Sequence, residues 1–211
     1  ICMGLGTAAE LLDGQLERSL HEEHTYLRFL DELLTLEQNE RKRRSEETRI
    51  RMSRLPHRKG LDEFDFSFQP GIDKRHIDEL ATLAFAARAE NVVLLGPPGV
   101  GKTHLAVGIA MAALKSGLTV YYTSLARLIE DLKTASAQSR LEKRWRVYLR
   151  PTILIIDEVG YMQLNRQEAE LLFRLISERY EHGSIILTSN KFFSDWGELL
   201  SDTVIATALL D

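Results

Sequence analysis

The chain has 211 residues, with 27 Lys and Arg set against 31 Asp and Glu for a formal net charge of −4. This length holds one core of ordinary size plus a smaller appendage, and the acidic balance argues against a protein that coats nucleic acid by bulk charge. The single cysteine, Cys2, excludes a disulfide framework or thiolate zinc site within one chain, and no apolar run approaches membrane-spanning length, so a cytoplasmic protein without membrane contact is expected.

From Thr7 to about Arg54 there is no proline, and leucines recur at Leu12, Leu16, Leu20, then Leu27, Leu30 and Leu34, a helical spacing. The expected organisation is a small all-helical N-terminal domain over residues 1–56, a linker over 57–71 and an α/β domain over 72–211. Both ends read as truncations, because the chain starts at Ile1 without Met and stops at Asp211 inside an apolar helical pattern, Val204 to Leu210. Two or three helices bury little apolar surface, so the N-terminal unit is expected to pack on the next domain or on a neighbouring subunit. Residues 41–59 carry nine Lys and Arg against Glu46 and Glu47, a nucleic-acid contact or a solvated helix face. Phe64, Phe66 and Phe68 alternate through the linker; packing on the core is the favoured reading, a wall for a nucleotide base the alternative.

Ile72 to Arg88 is expected to be one helix, apolar at Ile77, Leu80, Leu83, Ala84 and Ala87, followed by a short buried strand from Asn91 to Leu95. That strand runs into Gly96-Pro97-Pro98-Gly99-Val100-Gly101-Lys102-Thr103, which satisfies G-x-x-x-x-G-K-[ST], and His104 to Lys115 leaves it as a helix. Strand, eight-residue pattern and helix together mark a phosphate-binding loop rather than a plain Gly/Pro turn. Gly99 and Gly101 allow positive φ angles, so that successive backbone N–H groups point at the phosphates of a polyphosphate from the helix N-terminus. Lys102 is expected to bridge the β and γ phosphates, and the Thr103 hydroxyl to ligate Mg²⁺.

Thr119 to Thr123 reads as a second strand, with Ser124 capping a helix that runs to about Thr134 and a second, basic helix from about Ser139 to Leu149. Residues 125–150 carry seven Lys and Arg against three acids. Ile153-Leu154-Ile155-Ile156-Asp157-Glu158 is a Walker B pattern: Asp157, at the carboxyl end of a buried strand, is expected to hold Mg²⁺ through water, and Glu158 to polarise the attacking water as general base. Gln167 to Glu181 is an amphipathic helix, and Ser184 to Asn190 another buried strand whose terminal Asn190 either orients the same water or bonds a loop.

Among P-loop classes, a GTPase is weakened because Phe193 stands where N-K-x-D needs its Asp, no LSGGQ-like stretch points to a transporter ATPase, and no Arg-bearing lid points to a small-molecule kinase. What fits is the AAA+ order of Walker A, consecutive Asp and Glu in Walker B, then a strand ending in Asn. Within AAA+ the sequence resembles the IstB-like transposition helper ATPases, relatives of the DnaC helicase loaders. The stretches that carry the resemblance are Leu94 to Ala106, Leu154 to Tyr161, and Ser184 to Lys191 followed by Trp196. It covers nearly the whole chain.

The resemblance implies an ATP-dependent regulator that assembles as a homo-oligomer on duplex DNA and directs the transposase of its insertion sequence to target DNA. It also implies that Lys102 and Thr103, within a nucleotide-binding set of Gly96, Pro97, Pro98, Gly99, Val100, Gly101, Lys102, Thr103 and His104, hold nucleotide and Mg²⁺, that Asp157 supports the metal, that Glu158 is catalytic and that Asn190 is sensor 1. The basic helices at 125–150 fall where this clade carries a helical insert, making Lys133, Arg140, Lys143 and Arg144 candidate DNA contacts or parts of a solvated face. One departure is the arginine finger. No Arg follows Arg179, so either Arg179 or Arg174 reaches across a subunit interface or, the favoured reading, the finger lies beyond this sequence, and a chain ending at Asp211 is expected to bind ATP and hydrolyse it slowly. Two rivals stay open: a DnaC-type helicase loader, preferring single strands and binding a replicative helicase, and a nucleotide-gated protein that polymerises on DNA with negligible turnover.

Overall fold

The computed structural model describes residues 5–199, with the side chains of Ser194, Glu198 and Leu199 excepted; Cys2 and the helical pattern at Val204–Leu210 lie outside the described residues. The chain divides into two units, Ile1–Thr48 and Arg49–Asp211, so that the division falls inside a long helix ahead of Leu55-Pro56. None of the helices among the described residues is long and apolar enough to cross a membrane.

The first unit is built from helix α1 (Gly6–His21) and most of helix α2 (Tyr26–Ser53). They are separated at Glu23, whose φ of 52° takes the chain through the left-handed region, while the Glu22 and His24 N–H groups donate back to the carbonyls of Arg18 and Ser19. The hairpin is laced by polar bonds: the Ala8 N–H donates to Glu37 at 2.8 Å and the Gln15 amide to Glu32 at 2.7 Å. Leucine spacing locates these helices correctly, yet Leu12, Leu16, Leu20, Leu27, Leu30 and Leu34 are all exposed, from 42% to 82%. Much of the basic run is already paired. Arg41 bonds Glu37, and Arg43 and Arg44 bond Glu40, whose carboxyl they hold down at about 2. Those acids lie just upstream of residue 41, at the i,i+3 and i,i+4 spacing that places side chains on one helix face.

The second unit opens with the end of α2, continues through a 3-10 turn (Leu61–Glu63) and then alternates helix and strand. Helices α3 (Lys74–Ala81) and α4 (Ala84–Ala87) precede strand β1 (Val92–Leu95), and helix α5 (Lys102–Lys115) leads to strand β2 (Val120–Ser124). Helices α6 (Leu125–Ala137) and α7 (Leu141–Leu149) come before strand β3 (Ile153–Val159), and helix α8 (Arg166–Arg179) before strand β4 (Ser184–Ser189), with a short α9 (Trp196–Leu199) last. The single helix expected over Ile72–Arg88 is corrected to two: Leu83 takes a φ of 66°, and the Thr82 hydroxyl, bonded to the Glu79 carbonyl at 2.7 Å, also accepts from the Ala84 N–H. A residue in the left-handed region ends the α3 ladder there.

The strands form one parallel sheet in the order β1-β4-β3-β2. Because alternate residues of a strand face opposite ways, Ile153 and Ile155 join the core under α5, while Leu154 and Ile156 join the core beneath α6, α7 and α8. The result is an AAA+ P-loop fold with helices on both faces of the sheet, as near-continuous apolar runs in parallel strands require.

Arg179 fastens the second core. It is 1% exposed, and its guanidinium donates to the carbonyls of Tyr148, Leu149, Pro151, Thr152 and Ser184 at 2.8 to 3.2 Å, tying the end of α8 to the α7–β3 connection and the start of β4. Burial pushes its pKa down to about 10. This rules Arg179 out as a residue that reaches across an interface. Arg174 is also engaged, stacked over Trp145 at 4.9 Å and paired with Glu178. Replacing Arg179 with Ala leaves several buried carbonyls without donors, so urea unfolding of that variant is expected to show a loss of about 3 kcal/mol.

Candidate nucleotide-binding site

The eight residues Gly96 to Thr103 connect β1 to α5 at the carboxyl edge of the sheet. Gly99 and Gly101 have φ angles of 83° and 88°, and Gly101 is the residue ahead of the first turn of α5, so the loop's amides and the unpaired N–H groups of that turn share one concave side. The Gly96 N–H is fixed by the Ser189 carbonyl at 3.2 Å, which attaches the loop to β4. Lys102 folds over the loop, donating to the carbonyls of Gly96 and Pro97 at 2.7 Å; burial lowers its pKa and Asp157 pulls it back up.

Asp157 is 2% exposed and is held by hydroxyls from separate elements. The Thr103 hydroxyl lies 3.1 and 3.0 Å from its two oxygens, the Tyr122 phenol donates to Oδ2 at 2.5 Å, and the Thr188 hydroxyl donates to Oδ1. Burial, and then the bond to Asp157, push the Tyr122 phenol pKa up, so it stays a donor. Thr188 also accepts the Glu158 N–H at 3.1 Å, fixing both acids of the pair from β4.

A bulge explains how adjacent acids serve different sides. The β3–β4 register runs Ile156 to Leu187 and then Val159 to Ser189, so Asp157 and Glu158 together oppose Thr188. Glu158 takes a φ of 63° and is exposed, whereas Asp157 turns inward toward Thr103. A non-glycine residue in this region is strained by about 1–3 kcal/mol. Asn190 follows β4, and its Oδ1 is buried without a partner, only 2.8 Å from where a Cβ on Gly160 would lie. Gly160 has a φ of 107°, so the turn after the acidic pair leaves space for this amide.

The remaining sequence-picked residues fall into two places. His104 faces the linker: its Nε2 meets the Gly60 carbonyl at 3.1 Å, and its ring packs edge-on against His57 and Phe64. Phe64 lies 2.5 Å from where a Cβ on Gly101 would be, so Gly101 is required for close approach as well as for its φ; Phe64 and Phe66 also meet edge-on, while Phe68 is 72% exposed. Arg140, Lys143 and Arg144, with Arg54 and Arg127, line a cleft of about 580 Å³ beside β2, α6 and α7 that also holds Glu130 and Asp131. Lys133 lies outside that lining and pairs with Glu168 at 2.8 Å, and Arg144 bonds Asp131 and stacks over Tyr148. Tyr122 and Thr188 went unpicked by sequence reasoning, and Arg54 was counted only within the basic run of residues 41–59. Thr188 had a signal, a hydroxyl in an apolar strand beside Asn190; Tyr122 had only its β-rich surroundings.

A parallel β1-β4-β3-β2 sheet with a P-loop after β1, an acidic pair on β3 and an Asn after β4 defines a nucleotide-binding domain of the AAA+ class. More particularly, the chain belongs to the IstB-like ATP binding protein family, whose model matches residues 3–211. It is 50% identical to the protein of Geobacillus stearothermophilus named as the ATP-binding protein of insertion sequence IS5376, over 89% of this chain and 74% of that one. It is likewise 50% identical to the one named for insertion sequence IS21 in Pseudomonas aeruginosa, over 95% of this chain and 76% of that one. Among solved structures, the DnaC helicase loader superposes with a TM-score of 0.57 at 23% identity, covering 64% of this chain and 82% of that one. AMPPCP-bound DnaA from Aquifex aeolicus gives 0.64 at 18% identity, covering 74% and 48%. These two share the fold.

The unpaired Asn190 oxygen and the doubly bonded Thr188 hydroxyl differ in what their loss leaves behind. Asn190→Ala removes an unsatisfied buried acceptor and is expected to change unfolding free energy by less than about 1 kcal/mol, whereas Thr188→Val strips partners from Asp157 and Glu158 and costs about 2 kcal/mol. Paired urea titrations check the order.

Proposed function

We propose that the chain is an ATPase switch that binds duplex DNA as a homo-oligomer and directs the transposase of its insertion sequence to target DNA. The observation that carries this reading is the convergence of Lys102, Thr103, Asp157 and Glu158 at one edge of the sheet in a chain whose relatives are named for insertion sequences. Lys102 and the loop amides of residues 96–103 hold the ATP phosphates, and exposed Glu158 polarises the attacking water with Asn190 orienting it.

The residues fit Mg²⁺. The Thr103 hydroxyl and the Asp157 carboxylate are hard oxygen donors 3.0 to 3.1 Å apart, and among the described residues there is no group of three or more His, Cys, Asp or Glu that would make an all-protein cage. That is the donor set of an ion shared between one carboxylate, waters and substrate phosphates, and the bound ion would neutralise phosphate charge.

DNA contact falls to the cleft beside α6 and α7, where Arg140 and Lys143 join Arg54 and Arg127, while Lys133 and Arg144 already hold carboxylates within the chain. In domain terms, residues 1–56 serve oligomerisation, a partner or DNA, residues 57–71 link, and residues 72–211 carry the nucleotide cycle. ATP at a subunit interface favours the assembled state, and hydrolysis releases it.

Sedimentation with a duplex several helical turns long, in ATP, in ADP, and with Glu158→Gln in ATP, tests this reading. Large complexes are expected on duplex only with ATP, to persist in the Glu158→Gln protein, and to weaken steeply with salt because the contacts are to phosphates. A protein that stays small on duplex in every nucleotide state while binding single strands would instead support a helicase loader.

A further inference from the structure

We propose that Tyr122 is a positioning residue for the metal-side carboxylate, its phenol fixing Asp157 Oδ2 so that the carboxylate keeps one orientation when Thr103 turns to a magnesium ion. The inference rests on the reading of Asp157 as the group that supports Mg²⁺.

Three hydroxyls reach the Asp157 carboxylate, and they are not equivalent. Thr103 is shared between both oxygens at 3.1 and 3.0 Å and belongs to the P-loop, so a metal between P-loop and strand competes for it. Thr188 holds Oδ1 from β4, and Tyr122 holds Oδ2 at 2.5 Å from β2, on the opposite side of β3. With Thr103 engaged by an ion, each oxygen retains one dedicated donor from one flanking strand. Deleting the phenol hydroxyl leaves Oδ2 without its β2 donor, and only the Thr188 bond to Oδ1 then orients the carboxylate. Tyr122 pairs with Ile155 in register, two residues before Asp157, so only a side chain as long as tyrosine carries a hydroxyl forward to that carboxylate; the ring itself packs on the core under α5. A phenylalanine would fill the same space without the bond.

Partners that orient a metal-supporting group are worth about 10–100-fold in metal affinity or activity. The experiment is a titration of a fluorescent ATP analogue into wild type and Tyr122→Phe, first in EDTA and then across a Mg²⁺ series, with thermal unfolding recorded on the same samples. In Tyr122→Phe, binding in EDTA is expected to match wild type, while the Mg²⁺ concentration giving half of the metal-dependent gain rises about tenfold. An unchanged midpoint in Tyr122→Phe overturns the proposal, as does an equal loss of affinity in EDTA, which would mark a merely structural side chain. A wild type with no metal-dependent gain would overturn the reading of Asp157 itself, and the proposal with it.

Discussion

A buried carboxylate is the interaction on which the rest of the second unit depends. Removing an ionised acid from water is expensive unless its oxygens are met by donors, and Asp157, 2% exposed, meets hydroxyls from α5, β2 and β4. Those elements flank β3 only because the strand order is β1-β4-β3-β2. Were β4 not beside β3, Thr188 would have nothing to bond; were β1 not beside β4, the Gly96 amide would lose its Ser189 carbonyl and the loop its anchor. Sheet topology and site chemistry are therefore one constraint.

The bulge at Asp157 and Glu158 follows from the same constraint. A regular strand would turn consecutive side chains to opposite faces of the sheet, burying one acid among helix side chains. With both residues opposite Thr188, Asp157 turns to the P-loop and Glu158 stays at the exposed edge, at the cost of a left-handed φ held by the Thr188 bond to its N–H. Backbone strain at Glu158, maintained by a neighbouring strand, thus lies beside a buried amide oxygen with no partner on Asn190.

Legibility in the sequence tracks how local each feature is. The loop from Gly96 to Thr103, the apolar runs of β3 and β4, and the basic helices of 125–150 are set by neighbouring residues, and their elements appear where spacing puts them. The break at Leu83 is local too, but apolar periodicity continues through it and hides the left-handed residue. Arg179 and Tyr122 are different: each binds across roughly thirty residues of sequence, and no spacing rule marks an arginine that clamps carbonyls or a tyrosine that reaches a carboxylate. Charge counting overstates the basic run for a simpler reason. A window opened at residue 41 omits Glu37 and Glu40, the acids that pair with its first arginines.

Net charge is a poor guide to local charge on this chain. Five basic side chains around two acids in a cleft of about 580 Å³ create a local field that the overall −4 does not cancel, because low-dielectric walls focus potential into a concavity and salt screens distant acids. The cleft also adjoins the strand that reaches Asp157, since Tyr121, Tyr122 and Thr123 all line it. Successive residues of β2 face opposite sides of the sheet: Tyr121 joins the core of α6 and α7 and carries Arg54 over its ring at 5.5 Å, while Tyr122 turns to Asp157. The strand that walls the basic cleft is therefore also the one that bonds Asp157.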